Sequence, residues 1–378
     1  MGARKVEIQR MQHGKDSEAG AQGRVVLVAR GNAAEGLPRL AQQAGLGLQV
    51  AGSAREISLE RLPAAVLLPL DVSPEDWASV RENPAFAGIP LLGVARGASE
   101  LAFAETFARG GEDLLLTEEP EDTVTKLRAI PIPAQKAEPS TRRVLIVSPS
   151  AAWRASMARR LHGAGIEAGF AGPEDAVSAA SAGPPELFLL DTSGGLEEAA
   201  ALVSALRGVS KAPCLASVAP GEVRRGAALL EGLEGVAVHD AFGLADALLF
   251  LTNETLSGSV QERRRSRRLL FGTCVWARPA GAEQDRIGYS YTISEGGLFL
   301  RSMAPFAVGT RLWVELSPPR AGRRVRLAAT SVWNRGFGPL DRAISPPGTG
   351  LRIDGGLPGE WELFQDGCRT LLDGAVPG

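Results

Sequence analysis

The chain has 378 residues, 44% of them hydrophobic and 22% charged, with a formal net charge of −2. That length suits two to four domains of roughly 100–200 residues, and the composition is that of an ordinary folded chain rather than a disordered or fibrous one. The near-neutral balance makes nucleic acid an unexpected partner, and the three cysteines, Cys214, Cys274 and Cys368, are too widely spaced for a disulfide framework or a zinc site, which points to a reducing cytoplasm.

His13, His162 and His239 are scattered, so no metal centre or cofactor is expected. No apolar run reaches the roughly 18 residues of a membrane helix, so no membrane insertion is expected either. Residues 1–23 carry charges but no apolar core of a secretory signal, and read as a mobile polar tail.

From 24 to 130, short apolar runs alternate with helical patterns. Val25–Ala29, Ala65–Leu70, Pro90–Val94 and Asp113–Leu116 read as strands, and Leu37–Ala44 and Ser99–Ala108 as helices. Continuous apolar strands separated by helices predict a parallel sheet covered on both faces. Residues 131–141 hold three prolines without periodicity and read as an extended linker. The plan then repeats over 142–252, about 120 residues on, judged from Val25 and Val144. Strands are predicted at Val144–Val147, Leu187–Leu190, Cys214–Val218 and Val236–Val238. Helices are predicted at Ala151–His162, Leu196–Leu206 and Leu244–Leu251. Both units read as five-stranded doubly wound domains of flavodoxin type. Residues 253–262 form a second linker, leading into a strand-rich stretch over 263–374 that closes on a helix, Trp361–Leu372, with Trp361, Phe364 and Leu371 on one face.

Two motifs open that last stretch. Arg263-Arg264-Arg265-Ser266-Arg267-Arg268 is a run of guanidinium groups before the strand Phe271–Trp276. Thr292-Ile293-Ser294-Glu295-Gly296-Gly297 is a Ser/Gly turn before the strand Leu298–Leu300. Guanidinium forks bond phosphate oxygens bidentately and stack on purines, and glycine lets the backbone come close to a flat ring. Trp276, Trp313 and Trp333 fall in strand patterns and read as barrel core or rim rather than a base-stacking platform, and Met303 and Phe306 as core cover. Arg320, Arg323, Arg324 and Arg326 flank Gly322 and read as a hairpin with a solvated basic tip; no aromatic residue interleaves them in the sequence, which weighs against nucleic-acid binding there.

From about Gln261 to Leu372 the chain resembles a PilZ domain, the small β-barrel that binds cyclic di-GMP. Arg264 and Arg268 fit that family's Arg-x-x-x-Arg motif, with Arg263 and Arg267 a second register. Thr292, Ser294 and Gly297 fit its Asp/Asn-x-Ser-x-x-Gly motif, with Thr292 in the acid or amide position. Ser331-Val332-Trp333 followed by Gly348-Thr349-Gly350 matches a later strand pair of the family. The resemblance implies that Arg264 and Arg268 clamp guanines and phosphates, that Ser294 bonds a phosphate or base edge, and that Gly297 permits close approach. It also implies an output in motility, exopolysaccharide or pilus control.

The two preceding units resemble receiver domains of response regulators, whose phosphorylation needs an acid pair, an acceptor aspartate, a hydroxyl and a lysine. In the second unit Asp191 stands at the acceptor position and Ser217 near the hydroxyl, but Ser148 and Pro149 replace the acid pair and His239 the lysine. In the first, Arg30 and Gly31 replace the acid pair, Ala95 the hydroxyl and Thr117 the lysine, and the acceptor position falls on Asp71 or Pro69. Without a metal pocket, Asp191 reads first as a turn-capping residue and only secondarily as a phosphoacceptor. The expectation is a multidomain chain of two doubly wound flavodoxin-like α/β domains and a C-terminal PilZ-type β-barrel. It would be a non-enzymatic cytoplasmic effector of cyclic di-GMP that contacts signalling or motility proteins through its receiver-like units, with homo-oligomers allowed. The alternatives are a ligand-independent adaptor in motility or cell polarity and a phosphorylated response regulator.

Overall fold

The structure, a computed structural model, describes residues 23–28, 35–131, 143–219, 221–240, 245–256, 268–338 and 345–374. Residues 1–22 of the predicted N-terminal tail, Arg30 and Gly31, most of the predicted Pro-rich linker, and the arginine run as far as Arg267, including Arg263 and Arg264, lie outside these described residues.

The first unit runs β1 (Gly23–Val28), α1 (Leu37–Gln43), β2 (Leu46–Ala51), β3 (Ala65–Pro69), α2 (Pro74–Arg81), β4 (Leu91–Ala95), α3 (Glu100–Ala108), β5 (Asp113–Leu116) and α4 (Pro120–Arg128). Its strands are all parallel, in the order β2-β1-β3-β4-β5. β3 and β5 are buried along their whole length, which is why they read as unbroken apolar runs. Ser73 and Ser99 cap α2 and α3 by accepting from the backbone N–H groups of Asp76 and Ala102.

The second unit repeats the order with β6 (Arg143–Val147), α5 (Ala151–Gly163), β7 (Glu167–Ala171), α6 (Ala176–Ala182), β8 (Leu187–Asp191), α7 (Leu196–Arg207), β9 (Cys214–Ser217), α8 (Val223–Leu229), β10 (Val236–His239) and α9 (Ala245–Leu256). Its sheet is β10-β9-β8-β6-β7, again parallel. The sequence reading names neither β2 nor β7. Both are edge strands, where exposure breaks the apolar run: Val50 is 58% and Phe170 59% exposed.

The third unit is β11 (Leu269–Leu270), β12 (Cys274–Pro279), β13 (Arg286–Ser294), β14 (Gly297–Arg301), β15 (Arg311–Leu316), β16 (Val325–Arg335), β17 (Gly348–Gly356) and α10 (Glu360–Gly374). Six antiparallel strands close in the order β13-β12-β15-β16-β17-β14 and back to β13, with β11 added alongside β13. Closure removes the exposed sheet edges. Val275, Ile293, Leu300, Val314 and Leu327 fill the barrel, and Phe364 and Cys368 of α10 plug it. Trp361 stacks on Phe364 at 5.8 Å.

The three units meet at the segment Gly110–Asp113 that enters β5. From α5, Arg159 donates to both carboxylate oxygens of Glu112 at 2.7 and 2.5 Å and to the carbonyl of Ile89 at 2.7 Å. From β14, Arg301 donates to the carbonyls of Gly111 (3.0 Å) and Glu112 (3.2 Å), pairs with Asp246 of α9 at 2.9 Å, and lies 3.7 Å over the Phe107 ring. The next residues of the barrel, Ser302 and Met303, donate to Asp113. Met303 and Phe337 enter the apolar core of the first unit, and Tyr289 stacks on Phe103 at 5.5 Å. Met303 therefore covers a core, but that of the neighbouring unit, whereas Phe306 belongs to the barrel's own.

Candidate functional site

Pairing of β11 with β13 sets Leu269 opposite Ile293 and Leu270 opposite Thr292. One step further along that register, half-buried Arg268 stands opposite Ser294. Across the β13–β14 hairpin Ser294 faces Gly297, and across β14–β17 Gly297 faces Arg352. Arg268, Ser294, Gly297 and Arg352 thus form one row across four neighbouring strands, about 14 Å from end to end at ~4.8 Å per strand. An arginine stands at each end, with a hydroxyl and a bare backbone between. Thr292 lies in the adjacent row, opposite Phe299. Ser294 and Thr292 are both buried, 7% and 5% exposed.

Ser294 Oγ donates to the Gly297 carbonyl at 3.3 Å, closing the turn. A Cβ at Gly297 would collide with the Leu351 carbonyl oxygen, so strand packing already requires this glycine, whatever it does for a ligand. At the hairpin tip Glu295 pairs with Arg369 of α10 at 3.3 Å, and Arg352 pairs with Asp354 at 2.8 Å. Both arginines are half-exposed or more. Neither was singled out from the sequence; only the register and the helix position bring them to the turn.

Helix α9 leads towards this site and is fastened to the same barrel wall. The Tyr291 hydroxyl donates to the Asp246 carbonyl at 3.2 Å, and Arg301 holds the Asp246 side chain. Burial pushes the Tyr291 phenol well above its usual value, with the Asp246 charge adding to the effect. Burial likewise pulls Arg160, 3.6 Å from Asp246, down to about 10, and raises Glu112 against the opposing influence of Arg159.

In the second unit the Asp191 carboxylate is held by hydroxyls. Ser148 Oγ donates to it at 2.6 Å, Ser193 Oγ at 2.8 Å and the Ser193 N–H at 2.9 Å. The last bond makes a two-residue Asx turn. Ser217 stands opposite Asp191 and His239 opposite Ser217. In the first unit Pro69, not Asp71, ends β3; it pairs with Val94 as Asp191 pairs with Ser217. Val94 rather than Ala95 therefore occupies the hydroxyl position, and neither side chain has a hydroxyl. Asp71, Ala95 and Thr117 line an open crevice of about 640 Å³ at that end of the sheet. Among the described residues no group of three or more potential metal ligands occurs, and no helix is long and apolar enough to cross a membrane.

Residues 262–354 match the PilZ domain family. The chain carries a PilZ domain. The match spans a quarter of the chain, begins at Glu262 just before the arginine run and ends on β17. PilZ domains are cyclic di-GMP-binding signalling modules. Among solved structures, the chain is similar to a putative response regulator from Chloroflexus aurantiacus J-10-fl (22% identity, 29% of this chain and 96% of that one, TM-score 0.26). It is also similar to the Bacillus subtilis inhibitor of motility MotI/DgrA (21% identity, 30% and 54%, TM-score 0.24). A third is a probable two-component system response regulator/GGDEF domain protein (15% identity, 62% and 98%, TM-score 0.30). No curated protein matches the chain.

Proposed function

We propose that the chain is a non-enzymatic cytoplasmic signalling protein in which the PilZ domain binds cyclic di-GMP and the two receiver-like units carry the response to a protein partner in motility or surface-polymer control. The observation that supports it most is the row Arg268–Ser294–Gly297–Arg352 within the PilZ match. Two arginines whose backbone positions lie about 14 Å apart by strand spacing flank a buried hydroxyl and a glycine that has no side chain. A dinucleotide with two phosphates and two guanines presents anionic and planar groups on that scale. Arg264, four residues before Arg268, is the second arginine of the motif, and the segment that carries both continues from α9. A ligand held by Arg268 would act, through the chain that joins it to α9, on the contact that Tyr291 and Arg301 make with α9.

The test is calorimetric titration of cyclic di-GMP into the full chain. Saturable heat that is lost in Arg268→Ala supports the proposal. A folded full chain that gives no heat sinks it. One observation favours a second reading, a ligand-independent adaptor: Thr292 offers only a short, buried hydroxyl where the motif has an acid or amide.

A further inference from the structure

On the far side of the barrel from the β13–β14 hairpin, β12, β15 and β16 make a continuous wall. Val275, Ala277, Leu312, Val314 and Leu327 belong to the barrel core. Strand alternation therefore turns Trp276, Arg278, Arg311, Trp313 and Arg326 outward. Arg278 stands opposite Trp313, and Arg326 opposite Glu315, two residue pairs along from Trp313 on the same face. Trp313 is 42% exposed in the middle of this wall. The Arg324 guanidinium lies 3.6 Å over the Trp276 ring, and that of Arg326 lies 5.4 Å from the Trp313 ring. The aromatic residues absent from the basic hairpin in sequence are thus supplied by neighbouring strands.

We propose that this wall binds single-stranded nucleic acid, with Trp313 stacking on a base and Arg311, Arg324 and Arg326 on the flanking phosphates. Every base offers a π-face to an exposed indole, and arginines beside it follow the backbone. The acids nearby balance only part of the charge. Glu315 is 3.7 Å from Arg326, Asp285 2.8 Å from Arg278 and Glu360 3.4 Å from Arg323. Arg311, Arg320 and Arg324 are exposed; the Asp354 carboxylate, which Arg352 also holds, lies within electrostatic reach of Arg311. Anionic lipid is the other polyanion that such a surface could meet. The wall offers it only Trp313, Val308 and Val332 as exposed apolar groups, and guanidinium planes fixed over indole rings suit discrete phosphates better than a diffuse charged surface. The site is separate from the Arg268 row and does not depend on it.

The experiment is fluorescence anisotropy of a labelled single strand of about 15 nucleotides, DNA and RNA in parallel, with the full chain from ~50 to ~200 mM salt. Binding of either strand is expected. Trp313→Ala should weaken it about tenfold, and Trp313→Phe, which keeps a stacking face, should restore most of it. The double variant Arg311→Ala/Arg324→Ala should flatten the slope of log affinity against log salt by about 1.4, since each phosphate contact on a single strand contributes ~0.7. Three results would overturn the proposal: no binding of either strand at low salt, affinity unchanged by Trp313→Ala in a variant with unaltered melting, or binding of anionic phosphatidylglycerol vesicles without binding of either strand. If the alanine variant does not fold, equal affinity of Trp313→Phe and Trp313→Leu overturns it too.

Discussion

Replacing Arg159 with Met strips the only arginine that grips the Glu112 carboxylate directly among the described residues, and the cost follows from the geometry. Arg159 is 1% and Glu112 5% exposed, so the charge left behind has almost no water to turn to. Breaking one side of a buried pair costs about 3–5 kcal/mol. At a urea slope of ~1–3 kcal/mol/M, that moves the unfolding midpoint of the affected transition by about 1 M or more. Burial holds Glu112 above its ordinary 4.5, and Arg159 is the chief influence opposing that rise. With the folded-state value raised, ionisation is harder in the fold than in the unfolded chain. Glu112 thus adds most stability below pH 4.5 and withdraws it as pH climbs towards the folded-state value. Losing Arg159 lifts that value and widens the window. The Arg159→Met deficit should therefore be largest at neutral pH, shrink on acidification, and be largely relieved by adding Glu112→Gln. Urea unfolding followed by far-UV circular dichroism at two pH values, with the double variant included, measures all three. A deficit below ~1 kcal/mol at neutral pH, or one that Glu112→Gln leaves untouched, refutes the reasoning.

Other outcomes follow from single contacts. Arg268→Ala should abolish calorimetric binding of cyclic di-GMP without shifting the melting midpoint, whereas Arg369→Ala, at the rim, should weaken it only severalfold. Gly297→Ala drives a methyl into the Leu351 carbonyl; it should lower the melting temperature of the barrel, so loss of ligand in that variant would be accompanied by loss of fold. Acetyl phosphate with Mg²⁺ should leave Asp191 unlabelled by mass spectrometry, since serine hydroxyls occupy its carboxylate; stoichiometric labelling would revive the response-regulator reading. Burial pushes the thiols of Cys214, Cys274 and Cys368 up to about 12, so none should react with a thiol reagent at pH 8 until the chain is unfolded.

The buried parallel strands were legible because full burial writes an unbroken apolar run, as in Ala65–Pro69 and Leu187–Leu190. The edge strands β2 and β7 were not, because their exposed positions interrupt the run with Gly and polar residues. Arg268, Thr292, Ser294 and Gly297 could be named from motif spacing alone. Their alignment with Arg352 could not, since it depends on a register between strands more than fifty residues apart in the chain. Distance along the chain also hid the contact of Arg324 with Trp276 and of Arg301 with Gly111. An arginine's partner is a matter of topology, and composition marks only its charge.

Met303 and Phe337 leave the barrel to lie in the core of the first unit, at 1% and 5% exposure. A barrel cut free of its neighbours would carry both as bare apolar pegs, beside an Arg301 deprived of two carbonyls and a carboxylate. Such a fragment would be prone to self-association, and its affinity for any ligand would describe a surface that the whole chain never exposes. Truncation, the usual simplification for a modular chain, would here manufacture an interface.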